Sequence, residues 1–347
     1  MVFFKFGKAI RADHGRTVRL VIVVGTCRFR RVCRAAVKFA RAPYNKAMIT
    51  AIVVTYHPEP KALMALLGLL AAQADAVLVV DNASPDEMLA SVRSESPSRI
   101  EWIANERNVG LGQAINLGVE CALANGSDAF VLFDQDSTPS KDLIATLDKA
   151  YWDLSASHWV GAVGPAFADA RSGKLQPFVR IGFPLNTKIV PQDEQPVQCD
   201  YLITSGCYIP AAVWNDVGPL DASLFIDNLD MDWSFRARAK GYALFGIPSA
   251  VMDHAIGDRL IQLPMNLGDV MVHSPKRLYF SSRNRVLLYR RPHVSATWVA
   301  QDIPRFALKF LRLAVLVKPR RQVVRAMLLG LFDGLAGRSG EPRYRFD

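Results

Sequence analysis

Asp134 and Asp136 stand one residue apart in VLFDQDSTPS, where an apolar run gives out into a loop. Carboxylates that close repel one another unless water or a cation meets them. Asp81 closes a second apolar run in AVLVVDNAS, and Asp227, Asp230 and Asp232 follow in FIDNLDMDW, with His254 beyond in MDHAIG. Hard oxygen ligands too few to fill a coordination sphere suit Mg²⁺ or Mn²⁺ holding a substrate diphosphate. Each group taken singly has a plainer explanation. Asp81-Asn82 fits an Asx turn, Asp134/Asp136 a solvated turn, and Asp227/Asp230/Asp232 charges favoured at a helix N-terminus. His254 fits a structural histidine, and Arg283 and Arg285 in SSRNRVLLYR fit a solvated helix face better than a phosphate grip.

The elements that must position these residues alternate from residue 48 onward. ITAIVVTY reads as a buried strand. PEPKALMALLGLLAAQ reads as a helix with Leu63, Leu66, Leu67 and Leu70 on one face. AVLVVDNAS is a second strand and RIEWIANERNVG holds a short third. GLGQAINLGVECALANG is a helix opened by Gly110 and Gly112, and AFVLFDQDS is a fourth strand. Continuous apolar strands joined by helices predict a parallel sheet covered on both faces. Sites in such sheets lie at the carboxyl ends of strands. Tyr56-His57, Asp81-Asn82 and Asp134-Gln135-Asp136 are therefore expected to meet in one crevice. Further on, WVGAVGPAF, QCDYLITSGCYIP and YALFGIPSAVMDH read as strands, and DMDWSFRARAKGY as a helix. PRFALKFLRLAVLVKPRRQVVRAMLLGLF reads as two short amphipathic basic helices broken at Pro319.

Charge is distributed unevenly over the 347 residues. Residues 1–47 carry 12 basic and one acidic residue, residues 276–347 carry 16 and 4, and the stretch between carries 14 and 27. An acidic middle argues against nucleic acid as a partner, since phosphate recognition needs a basic face. Basic, apolar-interleaved ends suit an anionic membrane surface. Five cysteines without CxxC spacing argue against a zinc site or a disulfide framework. The basic segment 1–47 has two readings: a true tail, or an upstream extension with Met48 as the start. No apolar run reaches the length of a membrane span.

The ordered set AIVVTYHPE, VVDNAS, NVGLGQAIN, LFDQDS, ITSGCYIP, FIDNLDMDWSFRARAKGY and MDHAIGD resembles family 2 glycosyltransferases over about residues 48–290. It looks most like bacterial rhamnosyltransferases that use dTDP-L-rhamnose. The resemblance implies an α/β GT-A fold, with a Rossmann-like, mostly parallel sheet, helices on both faces and C-terminal amphipathic helices. It implies that Thr55 and Tyr56 border the base and ribose, that Asp81 accepts the base N–H beside Asn82, and that Asn108 and Gly110 line the nucleotide pocket. Asp136 would ligate Mg²⁺ or Mn²⁺, Asp134 would hold ribose or metal-bound water, and His254 would add a metal or diphosphate ligand. Relatives carry Glu-Asp at the general base; this chain has Leu229-Asp230, which makes Asp230 the expected base and Asp227 its rival.

The resemblance further implies an inverting, membrane-peripheral cytoplasmic enzyme. It would move L-rhamnose from dTDP-L-rhamnose to a lipid-linked acceptor such as a lipopolysaccharide or O-antigen precursor. Residues 48–290 would be its catalytic domain and 291–347 its membrane-associating helices. A glycolipid of the rhamnolipid type is the close alternative. From another class, DQDST fits the D-x-D-x-T nucleophile motif of haloacid-dehalogenase-like phosphatases, with Asp134 attacking phosphorus. That motif usually opens its fold, whereas about 85 residues of strand–helix pattern precede it here. A nucleotidyltransferase would want a Gly-rich basic loop where VVTYHPEP stands, and a non-catalytic membrane scaffold would tolerate Asp230→Asn.

Overall fold

A computed structural model describes residues 47–169, 175–254, 259–262 and 269–346, with the side chains of 169, 254, 259–262 and 269–272 not described. The basic segment 1–47, apart from Ala47, and the side chain of His254 lie outside what is described. Met48–Asp347 forms a compact unit.

The first half alternates strand and helix: β1 (Ile49–Thr55), α1 (Pro60–Gln73), β2 (Ala76–Asp81), α2 (Asp86–Glu95), β3 (Ile100–Ala104), α3 (Leu111–Ala124) and β4 (Ala129–Asp134). All seven residues of β1 are buried, as a central strand with both faces covered requires. The chain enters α1 through Pro60 at its first turn and Glu59 at its cap, whose carboxylate accepts from Lys61 N and Ala62 N. β1 pairs in parallel with β2 and β4, and β2 with β3. The register sets Thr55 opposite Asp81 and Val54 opposite Asp134. The polar ends of β1, β2 and β4 therefore lie side by side.

The second half is more mixed: β5 (Thr138–Pro139), α4 (Leu143–Ser155), β6 (Val160–Asp169), β7 (Phe178–Arg180), β8 (Thr187–Ile189), β9 (Val197–Cys199), β10 (Tyr208–Pro210), α5 (Ala211–Val217), a 3₁₀ turn (Ala222–Leu224), α6 (Leu229–Ala239) and β11 (Ala243–His254). β10 joins β4 and β6 antiparallel, and β11 runs parallel to β6, extending one sheet in the order β3-β2-β1-β4-β10-β6-β11-β5. QCDYLITSGCYIP is thus two short strands with a loop between them, because β9 and β10 pair with different neighbours, β11 and β4. A hairpin of β12 (Arg259–Gln262) and β13 (Asp269–Val272) leads to α7 (Pro275–Tyr289), α8 (Ala296–Leu316) and α9 (Arg320–Leu335).

The last two helices are longer than the sequence pattern suggests, and α8 continues through Pro304. α9 packs tightly on α7. A methyl group at Gly330 would stand 2.4 Å from the Tyr279 carbonyl oxygen, and one at Gly334 2.7 Å from Val286 Cβ. Outward from this packing, α8 and α9 expose Leu311 (60%), Val315 (59%) and Phe332 (57%). Among the described residues no helix is long and apolar enough to cross a membrane.

Candidate active site

At the strand ends, Asp81 is buried and already engaged. Its Oδ1 accepts from Thr55 Oγ (2.9 Å) and Ser84 Oγ (2.6 Å), and its Oδ2 from Ser84 N (3.0 Å). This is a variant of the Asx turn that the sequence allows, closing three residues on at Ser84, and it leaves a lone pair on Oδ2 for a further donor. Asn82, also buried, accepts from Val109 N and Asn105 Nδ2 and donates to Asn108 Oδ1. Asn108 in turn accepts from Gly110 N. Gly110 has φ +87°, and a Cβ there would lie 2.7 Å from the Phe225 ring, so glycine is required on both counts. Tyr56 is exposed, and its backbone N–H and C=O are both held by the Gln135 amide. That side chain, which the sequence does not single out, ties the end of β1 to the Asp134–Asp136 loop.

The two acids of that loop differ. Asp136 is exposed and makes no hydrogen bond or ion pair among the described residues, while Asp134 is half-buried. Ser205, wholly buried, donates toward neither carboxylate; it accepts from Asp134 N (3.2 Å) and bonds Ser137 Oγ (2.6 Å), anchoring the loop from LITSG. No group of three metal-type side chains exists among the described residues. The exposed Asp136 carboxylate, with Asp134 two residues before it, fits a cation that takes its remaining ligands from water and a diphosphate, which is how Mg²⁺ is commonly held.

The acidic loop of FIDNLDMDW is built from a distance. Phe225, Asp227 and Asn228 all have positive φ (67°, 64° and 64°). Ile226 N donates to Leu224 O at 2.8 Å, closing a tight turn on Phe225. For non-glycine residues such angles cost on the order of 1–3 kcal/mol each and persist only where surroundings over-determine them. Those surroundings come from α7. Asn284 Nδ2 donates to the carbonyls of Leu224 (2.9 Å), Ile226 (2.7 Å) and Asp227 (2.9 Å). Arg283 reaches the carbonyls of Leu224 and Gly340, with Phe280 beneath its guanidinium. The Phe225 ring stacks on Phe280 at 5.0 Å, and the Phe225 carbonyl accepts from Leu111 N at the start of α3. Arg283 is 1% exposed, so the solvated-face reading of SSRNRVLLYR is corrected: a guanidinium inside the protein needs those carbonyls.

The three acids consequently have separate environments. Asp232 is fully buried and committed: its Oδ1 faces Arg291 Nη1 (3.0 Å) and His293 Nε2 (2.9 Å), and its Oδ2 faces Arg236 Nε (3.0 Å). Asp227 Oδ1 accepts from Arg277 Nε (3.2 Å), and its Oδ2 is buried without a hydrogen-bond partner among the described residues. Asp230 has no cationic partner among the described residues and accepts from backbone N–H groups, that of the adjacent Met231 and its own. Burial pushes its carboxyl up to about 6; the like charges of Asp227 and then Asp134 add to this, and the Met231 N–H works against it. A carboxylate tuned toward neutrality and within electrostatic reach of the D-x-D loop has the properties of a proton acceptor.

Comparison with known proteins fits this geometry. Residues 50–201 match the model of Glycosyl transferase family 2. The chain is 31% identical over 302 residues to the dTDP-rhamnosyl transferase RfbF of Shigella flexneri, spanning 85% of this chain and 98% of that protein.

The chain belongs to glycosyl transferase family 2.

It is therefore a glycosyltransferase, and the phosphatase reading of DQDST falls away. In fold it is similar to S. aureus TarS 1-349 in complex with UDP-GlcNAc, at TM-score 0.50 and 17% identity over 83% of this chain and 80% of that one. It is similar also to GalNAc-T7 with UDP, GalNAc and Mn²⁺, at TM-score 0.50 and 14% identity over 77% of this chain and 56% of that one. The expected GT-A α/β fold is the fold observed.

Proposed function

We propose that this glycosyltransferase moves L-rhamnose from dTDP-L-rhamnose to a hydroxyl of a lipid-linked glycan, a lipopolysaccharide or O-antigen precursor, with inversion. The donor follows from the likeness to RfbF over nearly its whole length. The observation that carries the mechanism is Asp230: an acid without a cationic partner among the described residues, raised toward neutrality by burial and by the like charges of Asp227 and Asp134. Asp230 takes the proton of the acceptor hydroxyl as that oxygen attacks the anomeric carbon. The bond from carbon to the diphosphate oxygen breaks, and dTDP leaves with the electron pair. Asp134 and Asp136 would hold Mg²⁺ or Mn²⁺, with His254 as a further ligand, and the ion would offset charge growing on the diphosphate. Thr55, Tyr56, Asp81, Asn82, Asn108 and Gly110 shape the nucleotide pocket, and Asp227, paired with Arg277, is the rival base.

Residues 48–290 form the catalytic domain in this reading, and 291–347 rest on the cytoplasmic face of an anionic membrane. Ile303, Leu308, Leu311 and Val315 on α8 and Phe332 on α9 are exposed beside Arg312, Arg320, Arg321 and Arg325, the pattern of an interfacial helix. Because α9 is packed on α7, deleting the C-terminus would damage the acidic loop. The membrane test is instead Leu311→Ser with Val315→Ser, read by flotation with phosphatidylglycerol vesicles; unchanged flotation would rule the surface out. The donor is tested with purified protein, Mg²⁺ or Mn²⁺ and a panel of nucleotide-sugars, reading thermal shift and slow hydrolysis. dTDP-rhamnose should respond most strongly, and a tighter response to a UDP-sugar overturns the assignment.

A further inference from the structure

α8 has two functional faces. Opposite its exposed apolar residues, Trp298, Asp302, Phe306 and Leu313 are buried. Helical spacing places Arg305 and Lys309 along the edge of that buried face, three and seven residues after Asp302. Asp302 is held by Tyr289 Oη (2.7 Å) and Arg285 Nε (3.1 Å), and the Arg285 guanidinium lies 5.3 Å over the Phe306 ring. Nearby, Arg277 pairs with Asp227. Among the described residues, Arg305 is exposed and bonds only the Gln301 side chain (3.2 Å), and Lys309 is half-buried with no hydrogen bond or ion pair.

These groups reach the acidic loop electrostatically: Asp227 acts on Lys309, and Arg285, Arg305 and Asp230 all act on Tyr201. Burial holds the Lys309 ammonium below the usual lysine range; Arg285 and Arg277 add to this, and Asp227 and Asp302 oppose it. The Tyr201 hydroxyl is pushed up to about 12, first by burial and then by Asp230 and Cys199, with Arg305 and Arg285 opposing. Four cations, Arg277, Arg285, Arg305 and Lys309, thus stand among three carboxylates, Asp227, Asp230 and Asp302, and the excess positive charge includes a partly desolvated ammonium. Such an ammonium is costly until an anion meets it. Guanidinium forks with a lysine point charge match phosphate oxygens.

We propose that Arg285, Arg305 and Lys309 form a second anion subsite, which binds the phosphate or diphosphate group of the acceptor. It lies against the loop of Asp227 and Asp230, apart from the strand ends where the donor diphosphate would sit, and it rests on the reading of Asp230 as base. The same helix would then meet the bilayer on one face and the acceptor headgroup on another.

The test uses the full chain in EDTA, so that no cation at Asp134 and Asp136 contributes. Inorganic diphosphate and farnesyl diphosphate should bind the wild type, and farnesol should not bind this site. Lys309→Met with Arg305→Gln should weaken both diphosphates about tenfold or more, the scale of a lost charge-assisted contact, while dTDP affinity changes less than about twofold. A matching loss for dTDP would make the cations part of the donor site and overturn the proposal. Unchanged diphosphate binding, or a loss confined to phosphatidylglycerol vesicles, would overturn it too. Acceptor-independent hydrolysis of dTDP-rhamnose by the same variant keeps the two readings apart. Its persistence leaves the transferase reading standing whatever the binding shows, and its absence in the wild type counts against the donor alone.

Discussion

The nucleotide side and the acidic side of this site are built in different ways. At the ends of β1, β2 and β4, polar groups meet because parallel register aligns them and short Asx-type turns hold them: Thr55 with Asp81, Ser84 with Asp81, Asn82 with Asn108. The loop from Leu224 to Asn228 has local support only from tight backbone turns such as Ile226 N to Leu224 O. It is held in positive-φ conformations by Arg283 and Asn284, some 57–60 residues further along the chain. The first arrangement is a property of the sheet and the second is imposed by a packed helix, while positive-φ non-glycine residues occur on both sides, His57 and Ala83 at the strand ends and Phe225, Asp227 and Asn228 in the loop. Phe225 joins the two, with its carbonyl on the start of α3 and its ring against Gly110.

The largest expected effect separates two acids in one helix. Asp230→Asn should lower kcat/KM by about 10²–10⁴-fold without loss of folding. The folded carboxyl titrates near 6, above its ordinary value, so folding favours the protonated form. Stability from this group is present at low pH and lost as pH rises through about 6, and a neutral amide should leave the melting temperature unchanged or slightly raised at pH 8. In the wild type, kcat/KM should fall as pH drops below about 6, because the base is then protonated; a rate flat to pH 5 would remove Asp230 from that role.

Asp232→Asn should do the reverse. It leaves Arg236, Arg291 and His293 around a site without its buried charge, at a cost of about 3–5 kcal/mol, read by chemical denaturation. A well-folded variant would mean that the acids do not divide structural and chemical roles between them.

Asn284→Ala tests whether the acidic side depends on α7. It removes the donor to three carbonyls, each costing on the order of 1–3 kcal/mol if left unsatisfied. Activity and stability should fall together while dTDP affinity stays within about threefold. Equal loss of dTDP affinity would show that the two sides are not independently built.

Gly110→Ala has the smallest expected effect, about 1–3 kcal/mol from the forced φ together with the contact on Phe225. It should raise the KM for the donor and also reduce kcat, because the displaced ring belongs to the acidic loop. A change in KM alone would break the proposed link through Phe225.

The alternation of apolar strands and helices from residue 49 to 134 was legible because period and length are local properties of a chain. Burial of β1 on both faces follows from its unbroken apolar run, and the polar residues at three strand ends follow from where those runs stop. The acids of the site could be named from the same pattern. Their division of labour could not. Asp227, Asp230 and Asp232 read alike in FIDNLDMDW, whereas Arg277 commits the first and Arg236, Arg291 and His293 the last, and among the described residues the middle one has no cation. Arg283 looked like a surface residue because nothing within a few positions hints at the carbonyls it serves. A charged residue's neighbours are set by long-range packing, and its burial and titration follow from them. Composition and spacing therefore determined the sheet, the family motifs and the candidate acids; the tertiary structure alone decided which of those acids, among the described residues, has a cationic partner and which has none.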